Sequence, residues 1–319
     1  MTRADYIVHG TVTGRLDPQK FLSDGRQFLW SAHSLDLAET CHRRYYYESV
    51  LNVATPDQNV HAFFGISVHK AVETYYAMRA SGKSHDDTLR HIVHMTLEDT
   101  WDHAKGVPML DYDTLKQLPG SAHLKTRENL IRTIIWYFSE YGDNDPCKTA
   151  ILSNGQYAVE LPFQFQLDDE IMLRGRLDRV VEFANDPYVD DSKTTGASIS
   201  SFYFKRYDTD TEMSLYSLAS SVVFKSPVKG VLITAMQIAV GFTRFERSAT
   251  YRTEAQLQEW IEDAKYHIRM AWEAPKHNWP MRLSSCQKYG GCPFTGVCAR
   301  DPRVREEYLA TGFTKGVEQ

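Results

Sequence analysis

The chain has 319 residues, of which 42% are hydrophobic and 24% charged, with a net charge of −5. That length holds one large domain or two small ones, and the composition is ordinary for a soluble globular protein. No apolar run approaches a membrane span, and the acidic balance argues against a general polyanion binder while leaving room for a local basic groove. The start, Met1-Thr-Arg-Ala-Asp-Tyr6, carries no signal-peptide pattern, so a cytoplasmic location is expected.

Residues 1–33 are rich in Gly, Pro and polar residues and read as loops with a short strand. Ser34 stands where it can N-cap a helix running towards Tyr47. From 62 to 78, Phe64, Val68, Ala71, Val72 and Tyr75 recur at helical spacing, with His69 and Glu73 on a neighbouring face. Two more helices are expected at 87–103 and 122–140, the second on the stripe Ile131, Ile134, Ile135 and Phe138. Asp143-Asn-Asp-Pro146 breaks the helical pattern, and short strands follow at 156–167, 170–183 and 187–194. A helix at 210–224 precedes two strands, 229–240 and 242–251, turned at Gly241. A last long helix spans 254–273, with Thr253 and Gln256 in capping-box positions. Helices, three strands, a helix, two strands and a helix make an α/β sheet with an all-helical insertion.

The chemistry concentrates on two of these strands. Side chains alternate along a strand, so Asp191 and Lys193 in Tyr188-Val-Asp-Asp191-Ser-Lys193 share one face. Asp190 points to the other. A turn at Ala184-Asn-Asp-Pro187 brings Asp178 of the preceding strand opposite, and Arg174 and Arg176 share its face. Two carboxylates and an ammonium suit a divalent metal and a developing phosphoryl charge. Taken alone, Asp-x-Lys is more often a solvated strand face.

Cys286, Cys292 and Cys298 recur with five residues between each pair, among glycines and a proline that permit tight loops. In an intracellular protein this spacing favours metal over disulfide, with a fourth ligand from elsewhere. Cys147 has no companions and reads as an ordinary cysteine. The aromatic-basic runs His42-Arg-Arg-Tyr-Tyr-Tyr47 and Phe202-Tyr-Phe-Lys-Arg-Tyr207 suit either stacking on bases or packing with snorkelling arginines.

Gly65-Ile-Ser-Val-His69, Gly175-Arg-Leu-Asp178, Asp191-Ser-Lys193 and Glu212-Met-Ser-Leu-Tyr216, in that order, resemble the motif series of the PD-(D/E)XK nucleases. They look most like the branch of the RecB and AddB nuclease domains and the CRISPR-associated exonucleases, with Glu212 where that branch usually has Gln. The likeness runs from about Ser34 to Cys298. It implies a small mixed sheet flanked by helices, a restriction-endonuclease-like core, within a single domain spanning 1–319. That core would be about 150–275 plus the helix 62–78, with the insertion at about 80–145 roofing the site. It implies Asp178, Asp191, His69 and the Ser192 carbonyl as Mg²⁺ or Mn²⁺ ligands, with Lys193 acting on the attacking water. Tyr216 and Glu212 would face the cleft. Cys41 joins Cys286, Cys292 and Cys298 as ligands of a structural 4Fe–4S cluster, in a lobe formed by about 34–50 and 280–319. Four thiolates suit tetrahedral Zn²⁺ as well. The expected activity is metal-dependent hydrolysis of DNA, as an exonuclease of recombination, repair or processing. The alternatives are a structure-specific endonuclease and a non-catalytic iron–sulfur DNA-binding factor.

Overall fold

The computed structural model describes residues 20–22, 26–224, 228–287 and 291–316. Most of the loop region expected at 1–33 therefore lies outside the described residues. The chain enters through β1 (Leu29–Trp30), α1 (Ala32–Thr40), α2 (His42–Tyr45), a π-helical turn at Tyr46–Val50 and β2 (Val53–Ala54). A helical stretch follows: α3 (Pro56–Ala80), α4 (His85–Asp99), β3 (Trp101–Asp102), β4 (Val107–Pro108), α5 (Tyr112–Leu115) and α6 (Arg127–Tyr141). Next come β5 (Lys148–Thr149), β6 (Val159–Asp168), β7 (Ile171–Phe183), β8 (Asp186–Thr195), α7 (Ser201–Lys205) and α8 (Thr211–Val223). The chain ends in β9 (Gly230–Ile238), β10 (Thr243–Thr250), α9 (Glu254–Glu273), α10 (Thr295–Cys298), α11 (Arg305–Gly312) and β11 (Thr314–Lys315).

One mixed seven-stranded sheet organises the chain, in the order β1-β7-β8-β9-β10, with β5 and β6 also paired to β7. The β7–β8 hairpin turns on Ala184 and Asn185, both in the left-handed region at φ +53° and +67°. Such a two-residue turn matches the twist of the strands it joins. The β7–β8 ladder runs only from Phe183↔Asp186 to Arg179↔Asp190. Beyond that point β7 continues against β6, and β8 continues in parallel against β9. The two strands therefore part, and Asp178 and Asp191 are the first residues of the fork.

Helices cover both faces of the sheet. Val231, Ile233 and Ala235 of β9 belong to a core built with α1, α8 and α9. Their register partners on β8 include Asp191 and Lys193, so the expected functional pair lies on that face. Met236 and Ile238 face the other way, into a core made with α3, α4 and α6. Asp190 also faces away from Asp191. It is 1% exposed and ion-paired with Arg179, which reaches Asp145, and Asp145 in turn binds Arg247. Among the described residues no helix is long and apolar enough to cross a membrane.

Several local expectations are corrected. Ser31, not Ser34, caps α1, and Ser34 returns a side-chain oxygen to the Ser31 N–H at 2.9 Å. That helix stops at Cys41, whose extended backbone (φ −168°, ψ 115°) separates it from α2. The helix expected at 62–78 begins at Pro56, where proline's fixed φ suits a first turn and Gln58 reaches back to the Thr55 N–H at 2.7 Å. The one expected at 87–103 ends at Asp99, and the one at 122–140 starts at Arg127. The insertion does not roof the Asp191 face: α4 and α6 pack with α3, and α6 lies on β9 and β10. Its loop before α6 reaches the end of β8, where Lys125 donates to Thr194 Oγ1 at 3.1 Å and a Cβ on Gly196 would crowd Ser121 and Leu124.

Candidate active site

At the fork the ladder's missing partner is replaced by a side chain: the Ser192 N–H donates to Asp178 Oδ2 at 2.9 Å. This fixes the Asp178 carboxylate across the gap between the strands. α3 crosses the same gap, placing His69 Nε2 3.1 Å from the Ser192 carbonyl and Nδ1 3.4 Å from Asp178 Oδ1. The Gly175 position sets the neighbouring wall. A Cβ there would lie 2.5 Å from Phe163, and the Phe163 ring meets Tyr216 edge-on at 6.3 Å.

Glu160 completes the group, a residue the sequence reading did not single out. His69, Glu160 and Asp178 each offer a ligand atom, all within 4.8 Å of one another. Glu160 lies on β6 opposite Asp178, in a gap in the register between Val159↔Arg179 and Leu161↔Leu177. Its backbone is left-handed at φ +49°, a strained conformation for a non-glycine residue. In that conformation Oε1 lies 3.7 Å from His69 Nδ1, and Arg176 holds Oε2 at 3.3 Å.

Asp191 is fully buried, and its two oxygens differ. Oδ1 accepts from Lys193 Nζ at 3.0 Å, whereas Oδ2 is buried with no hydrogen-bond partner. A buried carboxylate oxygen without a partner costs about 1–3 kcal/mol or more, a cost that a proton or a bound cation would relieve. Burial pushes the Asp191 carboxyl well above the usual carboxylate range; Lys193 opposes this, while Asp178 and Glu212 add to it. Asp178 goes the other way. Burial opposes its charge, but His69, Lys193 and the Ser192 N–H together hold it below its ordinary value. His69, by contrast, is raised well above its ordinary value, since Asp178 and Glu160 outweigh burial. Donors and oxygens of this kind suit Mg²⁺ or Mn²⁺.

Lys193 Nζ also donates to Glu212 Oε2 at 2.6 Å, and Tyr216 OH donates to Glu212 Oε1 at 3.2 Å. The structure thus brings Glu212 to the lysine directly and Tyr216 to it through Glu212. Burial would lower the Lys193 amine, yet Asp191 and Glu212 raise it well above its ordinary value, so it is an ammonium at neutral pH.

The segments that carry Cys41, Cys286, Cys292 and Cys298 touch one another. Cys41 Sγ accepts from the Arg282 N–H at 3.5 Å, and Arg282 and Ser285 bond the carbonyls of Glu39 and Thr40. The Cys292 N–H donates to the Cys286 carbonyl at 2.8 Å, and Cys292 and Cys298 pack on Tyr47, Phe294, Val297 and Leu309. Burial raises the Cys292 thiol, and Cys41 and Cys286 contribute to that rise. Among the described residues no three of these sulfurs lie within 4.8 Å of one another. A single tetrahedral zinc, with Zn–S of about 2.3 Å, needs sulfurs about 3.8 Å apart. As arranged, the thiols do not close on one ion. The run at 42–47 is packing: Arg43 bonds the carbonyls of Asn278 and Trp279, Arg44 pairs with Glu48, and Tyr45 and Tyr46 stack on Trp30 and Trp279.

No match is found among curated proteins. Among solved structures, one from Eubacterium rectale named "Putative exonuclease" is 9% identical, with a TM-score of 0.44 over 81% of this chain and 85% of that one. The protein SSO0001 is 16% identical, with a TM-score of 0.28 over 52% of this chain and 65% of its own. The family model of the PD-(D/E)XK nuclease superfamily matches residues 29–299, a span holding both strands of the fork, α3 and all four cysteines of the lobe. The chain belongs to the PD-(D/E)XK nuclease superfamily.

Proposed function

We propose that this nuclease is a metal-dependent deoxyribonuclease of the RecB/AddB-like branch, acting as an exonuclease in DNA recombination, repair or processing. The observation that carries the reading is the partnerless, fully buried Asp191 Oδ2, set beside Asp178 and Lys193 at a fork in the sheet. Asp178, Asp191, His69, Glu160 and the Ser192 carbonyl would hold Mg²⁺ or Mn²⁺. A cation held by these residues would supply Lewis-acid polarisation of the phosphate and a lowered pKa for the attacking water. Lys193, which donates to Asp191 and Glu212, orients or helps deprotonate that water and offsets charge on the phosphorane. Glu212 and Tyr216 position the lysine. Removing such a cation costs roughly two to three orders of magnitude in rate.

For the cysteine lobe we propose a structural 4Fe–4S cluster on Cys41, Cys286, Cys292 and Cys298. Four irons at the corners of a cube spread their thiolates more widely than one ion does. The Arg282 N–H aimed at Cys41 Sγ is a bond that a thiolate ligand accepts. The cluster would tie the start of the chain to its end, over a loop long enough for the link to stabilise the fold strongly.

End-labelled linear and closed circular DNA, single- and double-stranded, incubated with Mn²⁺, Mg²⁺ or chelator, tests the activity. Metal-dependent cutting of linear strands, spared circles and loss in Lys193→Ala support the exonuclease. Cut circles would make it an endonuclease on the same fold. Binding without any cutting would make it a non-catalytic DNA-binding factor.

A further inference from the structure

Phe202 is 83% exposed, the most exposed large apolar side chain among the described residues. It sits in α7, a short helix continued by a 3-10 turn at Arg206–Thr209, and the two are oriented by buried tyrosines. Tyr203 and Tyr207 are buried, with their hydroxyls 3.1 Å apart. With those two inward, Phe202 and Arg206 are left on the outside, four residues apart and hence neighbours on one face. The Arg206 guanidinium lies over the rings of Tyr203 at 4.0 Å and Tyr207 at 4.8 Å, and donates to Tyr207 OH at 2.7 Å. It is a cation held in place at the surface by the two tyrosines, four residues along the chain from the exposed Phe202 ring.

The position of α7 relates this pair to the fork. The Ile199 N–H donates to Gln237 Oε1 at 3.4 Å, and Gln237 is the register partner of Thr195. The segment leading into α7 is therefore tied beside the end of β8, and that end, Thr195, is two residues beyond Lys193. Ile199 and Tyr203 belong to the core on the Lys193 face of the sheet. The nearby acids are engaged: Asp208 accepts from Thr250 at 3.3 Å, and Asp210 caps α8.

We propose that Phe202 is a stacking platform for an unpaired base of the strand entering the fork, with Arg206 meeting the adjacent phosphate. This rests on the nuclease reading and narrows its substrate to single-stranded nucleic acid or an unpaired end. A duplex keeps its base faces covered, and a groove that read only phosphates would have no use for a ring.

The test uses single strands of about ten nucleotides carrying 2-aminopurine, titrated with full-length protein in chelator so that turnover is off. Wild type quenches the fluorescence. Phe202→Ala loses the quenching and binds about tenfold more weakly, as expected for one stacked base, and Phe202→Trp restores both. With manganese, KM for the single strand rises by the same factor in Phe202→Ala while kcat stays within about twofold, and a blunt duplex shows no change. Equal quenching and equal KM in wild type and Phe202→Ala would overturn the assignment. So would an alanine variant that alters self-association in sedimentation but leaves strand binding intact. A wild type that cuts nothing, yet loses quenching in Phe202→Ala, refutes the nuclease reading and supports the platform.

Discussion

Replacing Lys125 with methionine should stabilise the fold at neutral pH and do so much less at high pH. Lys125 is 2% exposed; its ammonium lies 4.4 Å from the centre of the Phe64 ring and donates to Thr194 Oγ1 at 3.1 Å. Burial pushes its amine from the ordinary 10.5 down to about 8. Below about pH 8 the folded and unfolded states are both charged, and the burial penalty is felt in full. Between about 8 and 10.5 the unfolded chain holds the extra proton, so this group's contribution improves as pH rises. At about 1.36 kcal/mol per pH unit the penalty is about 3 kcal/mol at pH 7 and falls to about 1 kcal/mol near pH 10. The ring returns about 1 kcal/mol to the charged form. The gain from Lys125→Met should therefore be about 2 kcal/mol larger at pH 7 than at pH 10, read from urea unfolding of both proteins. Equal differences at the two pH values, or a uniformly destabilised variant, would refute the reasoning. The penalty accompanies a contact to Thr194, the residue next to Lys193.

Asp190→Asn should cost about 3–5 kcal/mol, because it strips a buried Arg179 of its closest carboxylate, while the cleavage rate per folded molecule stays within a few-fold. Thermal unfolding and active-site titration separate the two effects, and a selective loss of rate would place Asp190 in the chemistry. Gly65→Ala should raise stability by about 0.5–1 kcal/mol, since a Cβ there meets nothing within 4 Å in a helix interior. Because Gly65 shares a face with His69, the same variant should raise KM; an unchanged KM would show that substrate does not use that space. Cys292→Ser should lose iron and brown colour in anaerobically purified protein and melt at a lower temperature. Colourless, iron-free wild type would remove the cluster from the account.

The hairpin of β7 and β8 and the helix α9 were legible because their signals are local. Alternation and the Asn185 turn define the first, and the reciprocal bonds of Thr253 and Gln256 the second. α3 carried a comparable signal in Thr55, Pro56 and Gln58, but its apolar stripe drew attention further along. Glu160 was not legible. Its place depends on a left-handed residue within a strand, and nothing in Val159-Glu160-Leu161-Pro162 predicts which way its carboxylate turns. Glu212 could be placed on the cleft side of its helix, against substrate or the lysine, and the packing of α8 on the sheet decides for the lysine. The packed fate of Arg43 and Tyr46 was hidden because Trp279, more than 230 residues away, decides it.

The most direct test of the central claim is single-turnover cleavage of an end-labelled linear single strand in manganese by wild type and Asp191→Asn. The account predicts a rate in wild type that chelator abolishes, and a loss of at least about a hundredfold in the variant, which keeps the shape of the buried carboxylate but not its charge. Cleavage by Asp191→Asn at the wild-type rate, or cleavage indifferent to chelator, would contradict it.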